Sequence, residues 1–215
     1  MRFVHSVLAM ATAALVACGG EKAAQNKPST ATPGSEAGST ATAAAAPSST
    51  AAAPAAPAAP AAQGPMTVPS WMKVDKGAKT VTLDIHAGQT AANNHWNFNG
   101  HYKGDATITV PEGYKITIKF TNDDPSLAHS IGVDSAYTTF PATFTNPQPI
   151  FPGAISSNPT DMTKATQPKQ SETLKFTAAK AGSYTLNCFI PGHALTGMWI
   201  RFDVSADGKA GVTTS

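Results

Sequence analysis

Apolar and polar residues alternate with a period of two in five segments between Val81 and Val204, and this pattern restricts the possible fold more than any other feature of the chain. The alternating apolar positions are Val81, Leu83 and Ile85, then Ala106, Ile108 and Val110, then Tyr114, Ile116, Ile118 and Phe120, then Leu174 and Phe176, and finally Ile200, Phe202 and Val204. Such alternation predicts strands with one buried and one solvated face, as in antiparallel sheets. Turn-forming residues separate the segments, and no segment has a helical period over three turns. We therefore predict an all-β Greek-key sandwich or barrel.

The chain divides by composition into three parts of different character. Residues 1–18 carry one arginine and then an apolar run too short to span a bilayer, which predicts a signal peptide. Residues 19–65 are almost entirely Ala, Pro, Ser, Thr and Gly and contain no aromatic residue, so we predict a disordered linker. The alternating pattern lies wholly within residues 66–215, which are long enough for one well-buried domain.

Charge and cysteine content exclude two classes of protein. The chain carries 15 basic and 13 acidic residues, and it has no basic cluster of the kind that a nucleic-acid-binding surface needs.

The chain has two cysteines, and the first ends the sequence Leu15-Val16-Ala17-Cys18. This tetrapeptide resembles the bacterial lipobox, in which the cysteine is acylated and becomes the first mature residue. We therefore predict no disulfide framework and a domain tethered to a membrane by acyl chains on Cys18.

Six prolines interrupt the alternating pattern between Asp134 and Gln170. A segment of this length without regular structure is uncommon in a compact domain and is usually functional or disordered. Phe140, Phe144 and Phe151 lie within it, and they predict that this long Pro-rich loop packs onto the body of the domain.

One cysteine, two histidines and one methionine carry the chemistry of the domain. Cys188, His193 and Met198 are separated by four residues each, and His129 lies upstream in a further apolar segment. Strand parity with apolar neighbours predicts that Cys188, His129 and Met198 face the core near strand ends, with His193 in the turn between two strands. Two imidazoles, a thiolate and a weak axial thioether describe a type 1 copper site, since sulfur suits Cu(I) and imidazole suits both oxidation states. Each residue alone has an ordinary structural explanation, and the combination with its spacing is what predicts the site.

Two stretches of the sequence carry a resemblance to a known family. They are ETLKFTAAKAGSYTL, over residues 172–186, and NCFIPGHALTGMWIRFDV, over residues 187–204. Both resemble the cupredoxins, and most of all the sulfocyanin and rusticyanin branch, as does Asn97-Phe98-Asn99-Gly100. A lipobox stands where archaeal sulfocyanins have an N-terminal membrane segment, which leaves the branch and the physiological electron-transfer chain open.

The resemblance implies a fold and a set of site residues. The fold would be cupredoxin-like, with extra N-terminal strands and the long Pro-rich loop. One type 1 copper ion would be held by His129, Cys188, His193 and Met198. Ser130, directly after the first ligand, would tie the two ligand loops together.

The resulting interpretation is a one-electron carrier of the bacterial cell envelope, not an enzyme. We expect a monomer, with its domain periplasmic or on the outer surface, and a c-type cytochrome, a membrane oxidase or a copper enzyme as electron donor or acceptor. The alternative is copper storage or delivery. A copper-dependent oxidoreductase subunit is less favoured because the chain has no His-x-His pair for further copper sites. A Cys–His nucleophile is disfavoured because it would need an accessible thiol, whereas Cys188 is predicted to face the core. A metal-free adhesion domain is disfavoured because the set of four ligands would then be a coincidence.

Further polar residues have both a functional and a structural interpretation. The spacings of His86, His95 and His101 match no common ligand pattern, so we expect surface or structural histidines. Asp123-Asp124 is an acidic docking spot or, in the preferred interpretation, part of a turn.

The residues around His193 also have two interpretations. Pro191, Ala194 and Leu195 would form an apolar docking rim if that imidazole reaches the surface, and otherwise they are ordinary loop packing. Trp199 is expected to pack against the outer face of the sheet or against the N-terminal strands.

Overall fold

Residues 64–215 are described by the computed structural model of the chain. The predicted signal peptide at 1–18, with Cys18, and nearly all of the predicted linker at 19–65 lie outside the described residues. Within 64–215, no helix has both the length and the apolar character needed to cross a membrane.

Nine strands and one short 3-10 turn make up the regular structure of this part of the chain. The strands are β1 (Met72–Asp75), β2 (Thr80–Ala87), β3 (Ala106–Pro111), β4 (Lys115–Asn122), β5 (Gly132–Ser135), β6 (Ser171–Thr177), β7 (Gly182–Asn187), β8 (Trp199–Ser205) and β9 (Gly211–Thr214), and the turn covers Ala92–His95. All five alternating segments lie in strands, namely β2, β3, β4, β6 and β8. The all-β prediction is confirmed, and β1 and β2 are neighbouring strands of one sheet.

The strands form two sheets with the orders β1-β2-β4-β6 and β5-β7-β8-β3-β9. The chain leaves the first sheet after β2, forms β3 in the second sheet, and returns to place β4 parallel to β2. β3 is likewise parallel to β8, whereas the other strand pairs are antiparallel. The antiparallel expectation is wrong for these two pairs, because parallel neighbours arise when the connection crosses over, here through the other sheet.

One cluster of buried apolar side chains joins the two sheets. β2, β4 and β8 follow the predicted alternation, with buried positions separated by more exposed ones. β3 departs from it, because all six of its residues are buried, including Thr107 and Thr109. β3 lies between β8 and β9, and its short threonines are directly opposite the longer side chains of Arg201 and Asp203.

The predicted Pro-rich loop runs from the end of β5 to the start of β6 and packs onto the domain as expected. Its phenylalanines Phe140, Phe144 and Phe151 are all buried. Phe144 lies against Phe189, with ring centroids 4.8 Å apart. Phe140 lies against Trp199 at 5.2 Å, so this tryptophan packs under the loop rather than against the N-terminal strands.

Candidate metal centre

The four predicted ligands come from two separate stretches of chain that meet at one end of the sheets. Cys188 directly follows β7, Met198 directly precedes β8, and His193 lies in the turn between them. His129 lies shortly before β5 and forms an isolated bridge with Thr166 of the Pro-rich loop.

The segment around His129 is not the alternating strand that its sequence predicted. β5 begins only at Gly132, and every residue from Ala128 to Val133 is buried. The Pro-rich loop covers this segment, where Ile131 N–H donates to Ser156 Oγ at 2.8 Å. A segment covered on both sides has no solvated face. The parity argument therefore fails here, although His129 is buried as expected.

Hydrogen bonds close the loop from Cys188 to Met198 on itself. The Cys188 N–H donates to the Met198 carbonyl at 3.1 Å, and the Met198 N–H donates to the His193 carbonyl at 2.9 Å. Gly192 adopts a φ of +84°, a conformation that glycine takes without steric cost, and this permits the turn before His193. Met198 itself is fully buried. The loop thus holds three of the four predicted ligands within one compact turn.

Three donor atoms converge at this turn. Nδ1 of His129 lies 3.2 Å from Nδ1 of His193, and Sγ of Cys188 lies 4.0 Å and 3.5 Å from these two nitrogens. A point equidistant from the three atoms lies about 2.1 Å from each, within the range of about 2.0–2.3 Å for metal bonds to imidazole and thiolate in zinc sites. The triangle therefore has the size needed for one metal ion.

Burial controls the chemistry of the Cys188 thiol. It raises the pKa of Cys188 to about 11, against hydrogen bonds from the backbone N–H groups of Ser130 and Ile190 that lower it. Without a metal, the thiol therefore keeps its proton at neutral pH. A metal ion held by Cys188 would require loss of that proton and would compensate the charge of the buried thiolate.

Ser130 connects the two ligand loops. Its N–H donates to Sγ of Cys188 at 3.4 Å, and its Oγ lies 3.7 Å from the same sulfur. Its Oγ also accepts a hydrogen bond from the Phe189 N–H at 2.9 Å. These are the contacts expected of a residue that ties the loop of His129 to the loop of Cys188.

Asp124 orients His129, a role that the sequence analysis missed. Its Oδ2 lies 2.9 Å from Nε2 of His129, and its Oδ1 accepts from the N–H groups of Ser126 and Leu127. Burial alone would raise the pKa of Asp124, but these hydrogen bonds outweigh it and the pKa is lowered. A carboxylate at Nε2 favours the tautomer in which Nδ1 is free to bind a metal.

The interpretation of Asp123-Asp124 as part of a turn agrees with these hydrogen bonds. The docking alternative is wrong for Asp124, which is only 2% exposed. The sequence signals a turn here through its Asp and Pro residues, but it does not reveal that one carboxylate turns inward.

Both imidazoles are held in the neutral form. Burial and, to a smaller extent, the neighbouring His129 lower the pKa of His193 to about 4, against the opposing effect of Asp124. Burial also lowers the pKa of His129, against the opposing effect of Asp124. Neutral imidazole nitrogens and a buried sulfur form a mixed donor set that fits copper.

The three other histidines of the domain each have a partner elsewhere. Nδ1 of His86 lies 2.6 Å from Asp123 Oδ2, Nδ1 of His95 lies 3.2 Å from the Gly88 carbonyl, and Nδ1 of His101 lies 3.5 Å from Asp105 Oδ1. This agrees with the structural interpretation of these residues. Among residues 64–215, one group of at least three His, Cys, Asp or Glu side chains has its ligand atoms close enough to hold a metal ion. It consists of His129, Cys188 and His193.

The surroundings of His193 differ from the predicted apolar rim. Ala194 is buried against the phenylalanines of the Pro-rich loop, so only Pro191 and Leu195 of the expected rim are exposed. The imidazole of His193 is itself 3% exposed. Trp96, which the sequence analysis did not single out, stacks on that imidazole with ring centroids 4.2 Å apart.

Two mixed β-sheets that close on a buried His–Cys–His triangle define the cupredoxin class of copper proteins. The family model of the Sulfocyanin (SoxE) domain matches residues 68–213. The chain therefore belongs to the sulfocyanin family, and the predicted sulfocyanin and rusticyanin branch is confirmed.

Individual relatives are similar over the same region. The chain is 33% identical over 125 residues to a sulfocyanin from Sulfolobus acidocaldarius. The aligned region covers 56% of this chain and 61% of that relative. The chain thus spans about three fifths of the length of this curated relative.

Two solved structures are also similar. Dithionite-reduced auracyanin from Roseiflexus castenholzii is 26% identical, covering 58% of this chain and 96% of that chain with a TM-score of 0.40. Rusticyanin from Thiobacillus ferrooxidans is 20% identical, covering 63% and 86% with a TM-score of 0.42.

Membership of this family carries general properties. Sulfocyanins and other cupredoxins are extracytoplasmic electron carriers rather than enzymes, and they bind one type 1 copper ion. The prediction of one copper ion as cofactor is therefore confirmed at the level of the family.

Proposed function

We propose that this protein is a one-electron carrier in which His129, Cys188 and His193 hold the copper ion and Met198 supplies a weak fourth ligand. The observation that carries this proposal is the buried triangle of two Nδ1 atoms and one Sγ atom, all within 4.0 Å of one another. Copper bound there would supply a Cu(I)/Cu(II) couple and so accept or release a single electron.

The residues of the chain keep the donor atoms in place in both oxidation states. The hydrogen-bonded turn from Cys188 to Met198 fixes three of the ligands, and the carboxylate of Asp124 fixes His129. A ligand set that does not rearrange makes electron transfer fast. The Ser130 N–H stabilises negative charge on Sγ, and such contacts tune the reduction potential.

Copper storage or delivery remains the second candidate, and burial argues against it. The side chains of His129, Cys188 and His193 are at most 3% exposed. A delivery protein needs ligands that the recipient can reach, so burial favours retention of the ion.

Loading with Cu(II) tests the ligand assignment. We expect an intense blue thiolate-to-copper charge-transfer band that disappears on reduction. Cys188→Ser should abolish the colour, whereas His101→Gln, a histidine outside the site, should leave it unchanged. A Cys188→Ser variant with the full colour would contradict the assignment, and rapid loss of copper to a chelator would favour delivery.

We also propose that the protein is a monomer of the bacterial cell envelope, anchored through acylated Cys18, with residues 19–65 as a spacer. Its donor or acceptor would be a c-type cytochrome, a membrane oxidase or a copper enzyme. The lipobox-like sequence before Cys18 supports the anchor. Cys18→Ala should move the protein from the membrane fraction to the soluble fraction, while Cys188→Ser should stay with the membrane. Retention of Cys18→Ala in the membrane would refute the lipid anchor.

A further inference from the structure

The two imidazoles of the metal centre are held in different ways. The outer nitrogen of His129, Nε2, bonds to the carboxylate of Asp124 at 2.9 Å. For His193, the hydrogen bonds found among residues 64–215 reach the ring only at Nδ1. Its ring lies instead on the indole of Trp96, with centroids 4.2 Å apart and planes 20° apart.

The backbone that carries the indole is held by its own loop, independently of His193. The backbone N–H of Trp96 donates to the Asn93 carbonyl at 3.0 Å, and the backbone carbonyl of Trp96 accepts from Asn93 Nδ2 at 2.8 Å. The following residue, Asn97, is fully buried, and its Nδ2 donates to the Thr90 carbonyl at 2.8 Å. The backbone on both sides of the indole is therefore fixed without any contribution from His193.

The indole N–H does not explain why tryptophan occupies this position. Nε1 of Trp96 is buried and has no hydrogen-bond partner within the described part of the chain. A buried indole N–H normally finds an acceptor, because leaving it unpaired is unfavourable. The contact that favours an aromatic residue here is the stack on His193, and phenylalanine could make the same contact.

Trp96 also separates His193 from solvent. His193 is 3% exposed, whereas Trp96 is only partly buried. Water that approaches the stacked face of the imidazole therefore meets the indole first.

We propose that Trp96 is the positioning residue for His193, fixing the plane of the imidazole and keeping water from the outer side of the metal centre. This inference rests on the proposed copper-carrying function. The apolar shell around a metal site controls solvent access and thereby the reduction potential. Since water stabilises Cu(II), the form of higher charge, the indole raises the potential.

A first experiment uses the copper-free protein and does not depend on metal loading. The ring current of the indole displaces the NMR signals of the His193 ring protons. Trp96→Leu should remove this displacement, and Trp96→Phe should keep most of it. Trp71→Leu, which removes another partly buried tryptophan, is the control and should leave the His193 signals in place. Unchanged His193 signals in Trp96→Leu would overturn the stack.

A second experiment measures the copper-loaded protein against a redox mediator. Trp96→Leu should shift the equilibrium several-fold toward Cu(II), while Trp96→Phe and Trp71→Leu should behave like the wild type. A wild-type equilibrium in Trp96→Leu would overturn the proposed role of Trp96. If the leucine variant does not fold, Trp96→Met fills the space without a ring and answers the same question. A wild-type protein that forms no blue complex would instead defeat the proposed function, and the copper-free experiment would still decide the stack.

Discussion

Replacing Ser130 with alanine tests how the two ligand loops are joined. Ser130 is fully buried, and its Oγ accepts the Phe189 N–H at 2.9 Å. Alanine removes this acceptor but leaves the backbone contact from residue 130 to the sulfur of Cys188. Leaving a buried donor unsatisfied costs about 1–3 kcal/mol. We therefore expect the free energy of unfolding to fall by about 2 kcal/mol, which lowers Tm by about 4–8 °C for a domain of this size.

Urea unfolding of the copper-free protein, followed by circular dichroism, measures this loss. Ser157→Ala is the matched control, because Ser157 is exposed, and it should change the stability by no more than about 0.5 kcal/mol. Ser156→Ala, which removes the buried acceptor of the Ile131 N–H, should cost about as much as Ser130→Ala. If Ser130→Ala were as stable as Ser157→Ala, the Phe189 N–H would have another partner, and Ser130 would not join the loops. Copper-loaded Ser130→Ala should remain blue, since all four predicted ligands stay in place.

Three further perturbations test other parts of the site. Met198→Leu should keep copper and raise the reduction potential measured by redox titration, and a lower potential would contradict the axial role. Leu195→Glu should slow electron exchange with a cytochrome in stopped-flow measurements, because Leu195 is 49% exposed beside His193, and an unchanged rate would remove it from the docking surface. In the copper-free protein, His193 has a pKa of about 4 when folded against an ordinary value of 6.5. As the pH falls, His193 of the unfolded chain binds a proton before His193 of the folded protein does. The contribution of neutral His193 to the free energy of unfolding is therefore fully present above pH 6.5 and decreases as the pH falls toward about 4. Equal midpoints of urea unfolding at pH 6.5 and at about pH 4 would contradict the burial of neutral His193.

The strands could be predicted because their signal is local and repeats every two residues. β2, β4 and β8 each have one face on the core and one toward solvent, which is the environment that produces alternation. The prediction weakens where a third layer covers the outer face. The segment from Ala128 to Val133 lies under the Pro-rich loop and is buried throughout, so the parity of its sequence does not distinguish a core face from a solvated face.

The candidate donor atoms were also predictable, for a related reason. Cys188, His193 and Met198 lie on one short turn between adjacent strands, so their spacing along the chain limits their separation in space. His129 is remote in sequence, but its strand neighbours pair with β7, which ends directly before Cys188. The chemistry of the donors then indicates the kind of site, because few functions use one thiol, two imidazoles and a thioether together.

The residues that support the donors could not be predicted in the same way. Asp124 reads as an ordinary turn residue and Trp96 as one aromatic residue in a polar loop, since nothing in the local sequence shows which group each one faces. Their roles depend on loops that the tertiary fold brings against the imidazoles. This division has an experimental consequence. Removal of the Cys188 thiolate should abolish the blue chromophore, whereas changes to Ser130 or Trp96 should keep the colour and alter stability or potential instead. A loss of the blue colour as complete in Trp96→Leu as in Cys188→Ser would show that donors and supports are not separable in this fold.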